Sequence, residues 1–445
     1  MCFLSVKKNK KIMMNFPDSV HSQKEWLRDF LALLYPGFAS SAEEPKVSSD
    51  GSFSPAAAVP KSKEELASKI ALFNPCELNA LDFQKKITQA NSETTMCVVR
   101  EILSNEIPEL TGIKGVVVSL TGSDGRTEKL SSESSNVELE IILDRKELLE
   151  SGILEKFKQL VSSNSKHPNV FYPEIRVYSL DVDSLIHFNR NSDWTQKKNL
   201  LPFPTRALDG LYVIGDPETF HGFKKLLFSQ IGNPSNQKPL EKFRNDRVRP
   251  TLNLLRALVK QLAEDKLTGC EAPVAAEPAP IATEAAVTAA AGAKDHAAEG
   301  EQEAQAMADI DIANGVLRYD GDRVKATKYP LLRPVQYQLA QHVIRLIKNK
   351  KIREDVFLQM PATIVERIEW LAQNKLINIS SAQVQNVQKA YIISLAWCGI
   401  ATKRFEVLHE TQTQVPVKDL QIVVKAIAEF CLTESIFAPA NPGKH

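Results

Sequence analysis

The run Gly115-Val-Val-Val-Ser-Leu-Thr-Gly122-Ser123 constrains this chain more than any other stretch. Three successive valines favour an extended backbone, because β-branched side chains lose rotamer freedom in a helix and pack well on a pleated surface. Gly122 stops the run. A second strand pattern follows from Val137 to Leu143, where Val137, Leu139, Ile141 and Leu143 alternate with Glu138 and Glu140. PEIRVYSLDV reads as a third strand, and ELLESGILEKFKQLVSS between them reads as a helix. RALDGLYVIGDPETFHGFKKLLFSQI adds a short strand and a helix opening near Asp216. The order strand, loop, strand, helix, strand predicts a small mixed sheet.

The remaining patterns are helical. SETTMCVVREILSNEI spaces its apolar residues three and four apart, and Pro108 ends it; KSKEELASKIALF has the same spacing. Leu240 to Leu267 is helical, with Pro250 between two helices or in a first turn. In the last third, YQLAQHVIRLIKNKKI, TIVERIEWLAQNKL, SAQVQNVQKAYIISLAWCGIATKRFEVL and VKDLQIVVKAIAEFCL fit the helical period and predict a bundle. The expected fold is α+β, a small mixed-sheet domain followed by an all-α helical bundle. Two stretches stand apart in composition. Gln23 to Leu34 forms one amphipathic pattern and then gives way to a Ser-, Ala- and Pro-rich tract, and residues 271–308 are dominated by Ala, Glu and Pro without an aromatic residue. Such tracts cannot bury enough apolar surface to offset chain entropy, and both read as disordered linkers. The expected division is an N-terminal helix and linker over 1–60, an α/β domain with leading helices over 61–220, and a helical extension over 221–268. A linker over 269–312 and a helical substrate- or partner-binding domain over 313–436 complete it.

With 55 basic and 54 acidic residues the net charge is +1, so no global field points to a long nucleic acid or an anionic membrane. The six cysteines form no CxxC pair and no zinc spacing, and they read as core thiols of a reducing, cytoplasmic compartment. No run approaches the ~20 apolar residues that span a bilayer. There is no Walker A loop and no Gly-x-Gly-x-x-Gly.

The chemistry concentrates between the first two strands, in Gly122-Ser123-Asp124-Gly125-Arg126-Thr127-Glu128. Glycines admit a phosphate close to the backbone, exposed N–H groups at a tight turn bind anionic oxygens, and Ser123 adds a hydroxyl donor. A guanidinium such as Arg126 meets phosphate through a forked contact. Glu138 and Glu140, two apart on a strand, share one face. Two carboxylates beside a phosphate cradle suit Mg²⁺ or Mn²⁺, which would orient a nucleoside triphosphate.

This pattern resembles the polymerase-β-type nucleotidyltransferase superfamily, whose members carry a strand, then Gly-Ser or Gly-Gly, then a strand with an acid–apolar–acid pair. The closer likeness is to the bacterial branch with a Gly-Ser-x-Gly-Arg-x-Glu signature, which includes the protein-PII uridylyltransferase-like group and the cystathionine-β-synthase-linked nucleotidyltransferases. Gly122 to Glu128 matches that signature at each fixed position. Downstream, Lys328-Tyr329-Pro330-Leu-Leu-Arg333-Pro334 resembles a helix start in the helical region of the same branch, with Asp322 to Lys325 ahead of it. The resemblance implies that Gly122, Ser123, Gly125, Arg126 and Arg333 bind the nucleotide, that Glu138 and Glu140 hold the metal, and that a third acid lies on a later strand. Glu174 is the candidate for that acid, with Asp181 second.

Three registers compete for the acidic pair. An ungapped comparison lands on Ser134 and Asn136, a second keeps Glu138 and replaces the other acid by Asn136, and only a two-residue shift supplies both Glu138 and Glu140. Alternating acids on a strand also mark solvated sheet faces, Glu128 suits an ion pair with Arg126, and Asp209 with Arg206 suits a buried tie between helix and sheet. Two functions follow. The first is a Mg²⁺-dependent transfer of a nucleoside monophosphate from ATP or UTP to a protein or small-molecule hydroxyl, with release of pyrophosphate. The second is a catalytically inactive relative that acts as a regulatory or protein-interaction module.

Overall fold

In a computed structural model of the chain, the structure describes residues 90–128, 137–150, 152–162, 171, 174–181, 184–189, 192–198, 207–267, 310–318, 328–408 and 411–438. The patterns expected at 23–34 and 61–73, most of the central linker, and Ser134, Asn136 and Arg206 lie outside them. The described chain is α+β, with a mixed sheet over the first half and a mostly helical region after it.

Helix α1 (Ala90–Glu106) leads into a 3-10 turn that starts at Pro108, as the helix-ending proline predicts. Strand β1 (Val116–Leu120) pairs antiparallel with β2 (Leu139–Leu143), Ser119 opposite Glu140. Helix α2 (Ile153–Val161) then crosses over to β3 (Glu174–Ser179), which lies parallel to β2. A parallel pair needs such a crossover. Strands β4 (Ser184–Asn189) and β5 (Ser192–Lys198) extend the sheet beyond β3, and β6 (Leu211–Gly215) closes the other side, giving the order β5-β4-β3-β2-β1-β6. The sequence reading did not single out β4 or β5; SDWTQKK of β5 has no apolar alternation.

Side-chain alternation splits the sheet between two cores. Val116, Val118, Leu120, Leu139, Ile141 and Leu143 face a core shared with α1 and α2. Val117, Ile142 and Tyr178 face the opposite way, onto α3 (Pro217–Gly232) through Phe223 and Leu227. Asp216 caps α3 by accepting from the Glu218 N–H at 3.1 Å.

Helix α4 (Gln237–Phe243) runs through a π-helical turn, Arg244–Val248, into α5 (Arg249–Leu267) without a break. Pro250, which has no N–H to give, falls at the second residue of α5. Strands β7 (Ile310–Asp311), β8 (Val316–Arg318) and β9 (Gln412–Gln414) form a second, three-stranded sheet. Ile310 and Ile312 are buried, so an ordered strand begins inside the stretch expected to be a linker up to residue 312. A second π turn, Lys328–Leu332, precedes α6 (Arg333–Lys348), followed by α7 (Ile364–Gln373), α8 (Ser381–Leu408) and α9 (Val417–Leu432). The four expected C-terminal helices are therefore all present. One apolar core runs from Val117 and Ile142 through α3 and α5 into the bundle.

Candidate functional site

The loop after β1 is a single helical turn, Gly122–Gly125. Gly122 adopts φ +65°, and a methyl group built on it would stand 3.3 Å from Glu138 Oε2. The glycine thus serves both a left-handed backbone and a close approach by a carboxylate. Gly125 is held more tightly still, since its own methyl would lie 2.2 Å from the carbonyl oxygen of Asp209. The backbone N–H of Gly125 donates to Thr121 O, that of Arg126 to Gly122 O, and that of Glu128 to Ser123 O at 2.8 Å. Ser123, the next residue of the same turn, is half-buried.

Glu138 and Glu140 share a face, but their surroundings differ. Glu138 is half-exposed. Glu140 has no exposure, and stands in a row across the sheet formed by Tyr212, Ser119, Glu140 and Arg176. Arg176 Nη1 lies 3.6 Å from Glu140 Oε1, an ion pair without a hydrogen bond. Neither Glu140 oxygen nor Ser119 Oγ has a hydrogen-bond partner. Burial pushes the Glu140 carboxyl up to about 7 despite the pull of Arg176, with Glu138 raising it further and Lys224 lowering it. Lys224, on α3, donates to the carbonyls of Ala207 and Leu208 at 3.1 and 3.3 Å, and burial lowers its ammonium to about 8.

The charged half of the signature points elsewhere. Arg126 and Glu128 are 5% and 3% exposed. Arg126 Nε donates to Glu128 Oε2 and its Nη1 to Asp209 Oδ2, both at 2.7 Å. Asp209 also accepts from Arg367 Nη1, 3.1 Å away on α7, and Arg367 gives its remaining donors to the carbonyls of Pro361 and Ala362. The Tyr391 hydroxyl, on α8, donates to Glu128 Oε1 at 3.0 Å and accepts from Gln336 Nε2 at 2.7 Å. Two guanidiniums thus meet two carboxylates in a closed box between sheet and bundle. Burial works against charge on Arg126, but Glu128 and Asp209 hold its pKa well above the ordinary arginine value. Burial and the neighbouring Glu128 raise the Tyr391 phenol. Arg126 commits Nε and Nη1 to two carboxylates, and through their other partners, Arg367 and Tyr391, the loop is tied to the helices.

The other candidates disperse. Arg333 opens α6, donates to Gln336 Oε1 at 3.0 Å and lies over the Tyr337 ring at 5.3 Å, which attaches it to the edge of the same box. Asp209 is buried as expected, with Arg126 and Arg367 as its partners. The backbone of Glu174 starts β3, opposite Asn189. Asp181 accepts from Ser179 Oγ at 2.6 Å and from the Lys146 N–H at 3.0 Å, at the other end of β3. Among the described residues, no group of three or more His, Cys, Asp or Glu is placed to hold a metal ion. A Mg²⁺ ion needs accessible, ionised oxygen ligands. Glu138 stands half-buried against the Gly122 turn, and Glu140 is enclosed beside Arg176. Arg367 and Tyr391 carried no sequence signal, since they lie far along the chain from the residues they hold. The chain matches no protein-family model and no curated protein sequence.

Proposed function

We propose that this chain is a nucleotidyltransferase-like protein that does not transfer nucleotides and acts as a regulatory or protein-interaction module, in the cytoplasm. The observation that carries the reading is Glu140. Two-metal phosphoryl chemistry requires paired carboxylates that are ionised and open to the ion. One of the pair here is enclosed, faces Arg176 at 3.6 Å and holds its proton up to about pH 7. The signature's charge is likewise committed to joining the loop to the bundle, with Arg126 and Glu128 satisfied by protein groups. The nucleotidyltransferase likeness itself rests on the match of Gly122 to Glu128 and on the order of the strands and helices around it.

One observation favours the enzymatic alternative, the Mg²⁺-dependent transfer from ATP or UTP to a protein or small-molecule hydroxyl. Glu138 lies against Gly122, in the turn that also carries Ser123 and where a metal-bound triphosphate would meet the backbone. In that reading Gly122 and Ser123 hold the triphosphate and Glu138 reaches the ion. Incubation with α-labelled ATP or UTP, Mg²⁺ or Mn²⁺ and a cell lysate separates the two. Our reading predicts no transfer of label to protein or small molecule. Transfer that disappears in Glu138→Ala would overturn it.

A further inference from the structure

The opposite end of α6 carries a different kind of charge. A cavity of about 940 Å³ opens between the α4–α5 helix, the last turns of α6 and the end of α9. That volume is within the range of small-molecule sites, about 300–1,000 Å³. Its walls present Arg244, Arg249, Arg256, Arg345 and Lys348. Only two acids line it, Glu241 and Glu434.

The convergence has a local cause. The π turn closes with the Arg249 N–H on the Arg244 carbonyl, a bond five residues long. Its wider coil brings Arg244 and Arg249 to one wall, and π turns are common where a helix re-aims side chains for function. Arg256 follows two helical turns later on the same face. Arg345 and Lys348 come from the facing helix. Cations in the last turn of a helix offset its dipole, which accounts for these two but not for three arginines brought against them from another helix.

The cations are also poorly matched by protein groups. Arg244, Arg249, Arg345 and Lys348 make no ion pair within 4.0 Å among the described residues, while Arg256 reaches only the amide oxygen of Asn253, at 2.7 Å. Burial and the neighbouring Arg244 lower the Arg345 pKa, with Glu434 opposing them. The Oε1 atom of Gln341, another lining residue, is buried without a hydrogen-bond partner. An amide can turn to present its N–H₂ instead. Arginines held close together without carboxylates form a preset array for phosphate oxygens, which accept forked bonds from several guanidiniums at once.

We infer that this cavity is a binding site for a small ligand bearing two or more phosphate groups, distinct from the Gly122 turn and independent of the reading above. A concave site of this volume suits a soluble ligand such as a nucleoside polyphosphate or an inositol polyphosphate, or the headgroup of a phosphorylated lipid. The shared chemistry is clustered phosphate. Gln336, in the box at the start of α6, and Arg345 are nine residues apart, or roughly 13 Å along the helix axis, so the two ends of α6 are separate sites.

Titration calorimetry on the full chain tests this, with sodium tripolyphosphate as the probe and sodium sulfate as the single-anion control. Tripolyphosphate binds, sulfate binds at least tenfold more weakly, and Arg345→Gln and Arg244→Gln each weaken tripolyphosphate about tenfold or more, as loss of a charge-assisted pair predicts. These are surface positions, and a thermal melt confirms that both variants fold. Co-sedimentation with phosphatidylcholine vesicles carrying a bisphosphorylated inositol lipid distinguishes the sources. Capture of the chain alongside tripolyphosphate binding assigns a lipid headgroup; tripolyphosphate binding without capture assigns a soluble ligand. No tripolyphosphate binding overturns the inference. So does binding that survives both arginine variants but is lost in Ser123→Ala, which would put the phosphate at the turn. Binding of single-stranded RNA that tripolyphosphate cannot displace also overturns it.

Discussion

Helix α6 has a charge cluster at each end, and the two are built on opposite rules. At its start, Arg126, Glu128, Asp209 and Arg367 balance two cations with two anions, and Gln336 and Tyr391 take up Glu128. At its end, five cations face two acids around an open cavity. Enclosed charge survives only when it is paired and hydrogen-bonded, because leaving water costs several kcal/mol per ion. The first cluster is closed by that rule and serves architecture. The second is open to solvent and short of anions, and its partner is a ligand. The same residue type, arginine, is therefore structural in one place and a recognition group in the other, and pairing decides which.

Removing one member of the closed box breaks the comparison most severely. Glu128→Ala leaves Arg126 with half its compensation and Tyr391 without its acceptor, and it should cost about 3–5 kcal/mol, the range for an orphaned buried charge. Urea unfolding of the full chain measures it, and a loss below about 1 kcal/mol, as at exposed pairs, would mean that the box is not enclosed. A smaller effect concerns Glu140. Its carboxyl keeps its proton up to about pH 7 in the folded chain, against the usual 4.5. The folded state therefore binds more protons than the unfolded chain across that window, and the cost of burial grows as pH rises through it and is complete above 7. Glu140→Gln removes the titration, so its stability relative to the native chain should rise by about 3 kcal/mol between pH 4 and pH 8. A difference that stays flat with pH would place Glu140 in a solvated setting.

Tyr391→Phe deletes only the hydroxyl that donates to Glu128, and about 1.5 kcal/mol is expected, typical of a hydrogen bond to a charged group. Arg244→Gln at the open cluster should have the opposite sign. It relieves repulsion with Arg345 and should leave the chain unchanged or stabilise it by up to about 0.5 kcal/mol, the scale of surface substitutions. A large loss of stability there would show that the cavity arginines are paired after all and would merge the two clusters into one kind.

Much of the architecture was written locally. The valine run stopped by Gly122, the alternation around Glu138 and Glu140, and the helical spacing of the last third each correspond to an observed element. Strand β5 escaped because a polar strand such as Ser192–Lys198 has no apolar rhythm to read. Strands of two or three residues, as in Ile310–Asp311 and Gln412–Gln414, are too short to show a period at all. The site was legible only in part. Gly122 to Glu128 stood out as a motif, and the suitability of Glu128 as an ion-pair partner for Arg126 could be read from the residues. That Arg367 and Tyr391 complete the box could not, because these contacts span 158 and 263 residues. The difference between Glu138 and Glu140 was also hidden, since it arises from burial beneath elements distant in sequence, among them the strand of Arg176 brought alongside by a crossover.

The central claim is that the signature's charges hold the fold together and that Glu140 is not a metal ligand. Water-proton relaxation during titration of Mn²⁺ and ATP into the native chain and Glu140→Gln tests it most directly. The account predicts indistinguishable curves for the two proteins. A Mn²⁺–ATP complex that forms on the native chain and is lost in Glu140→Gln would contradict it.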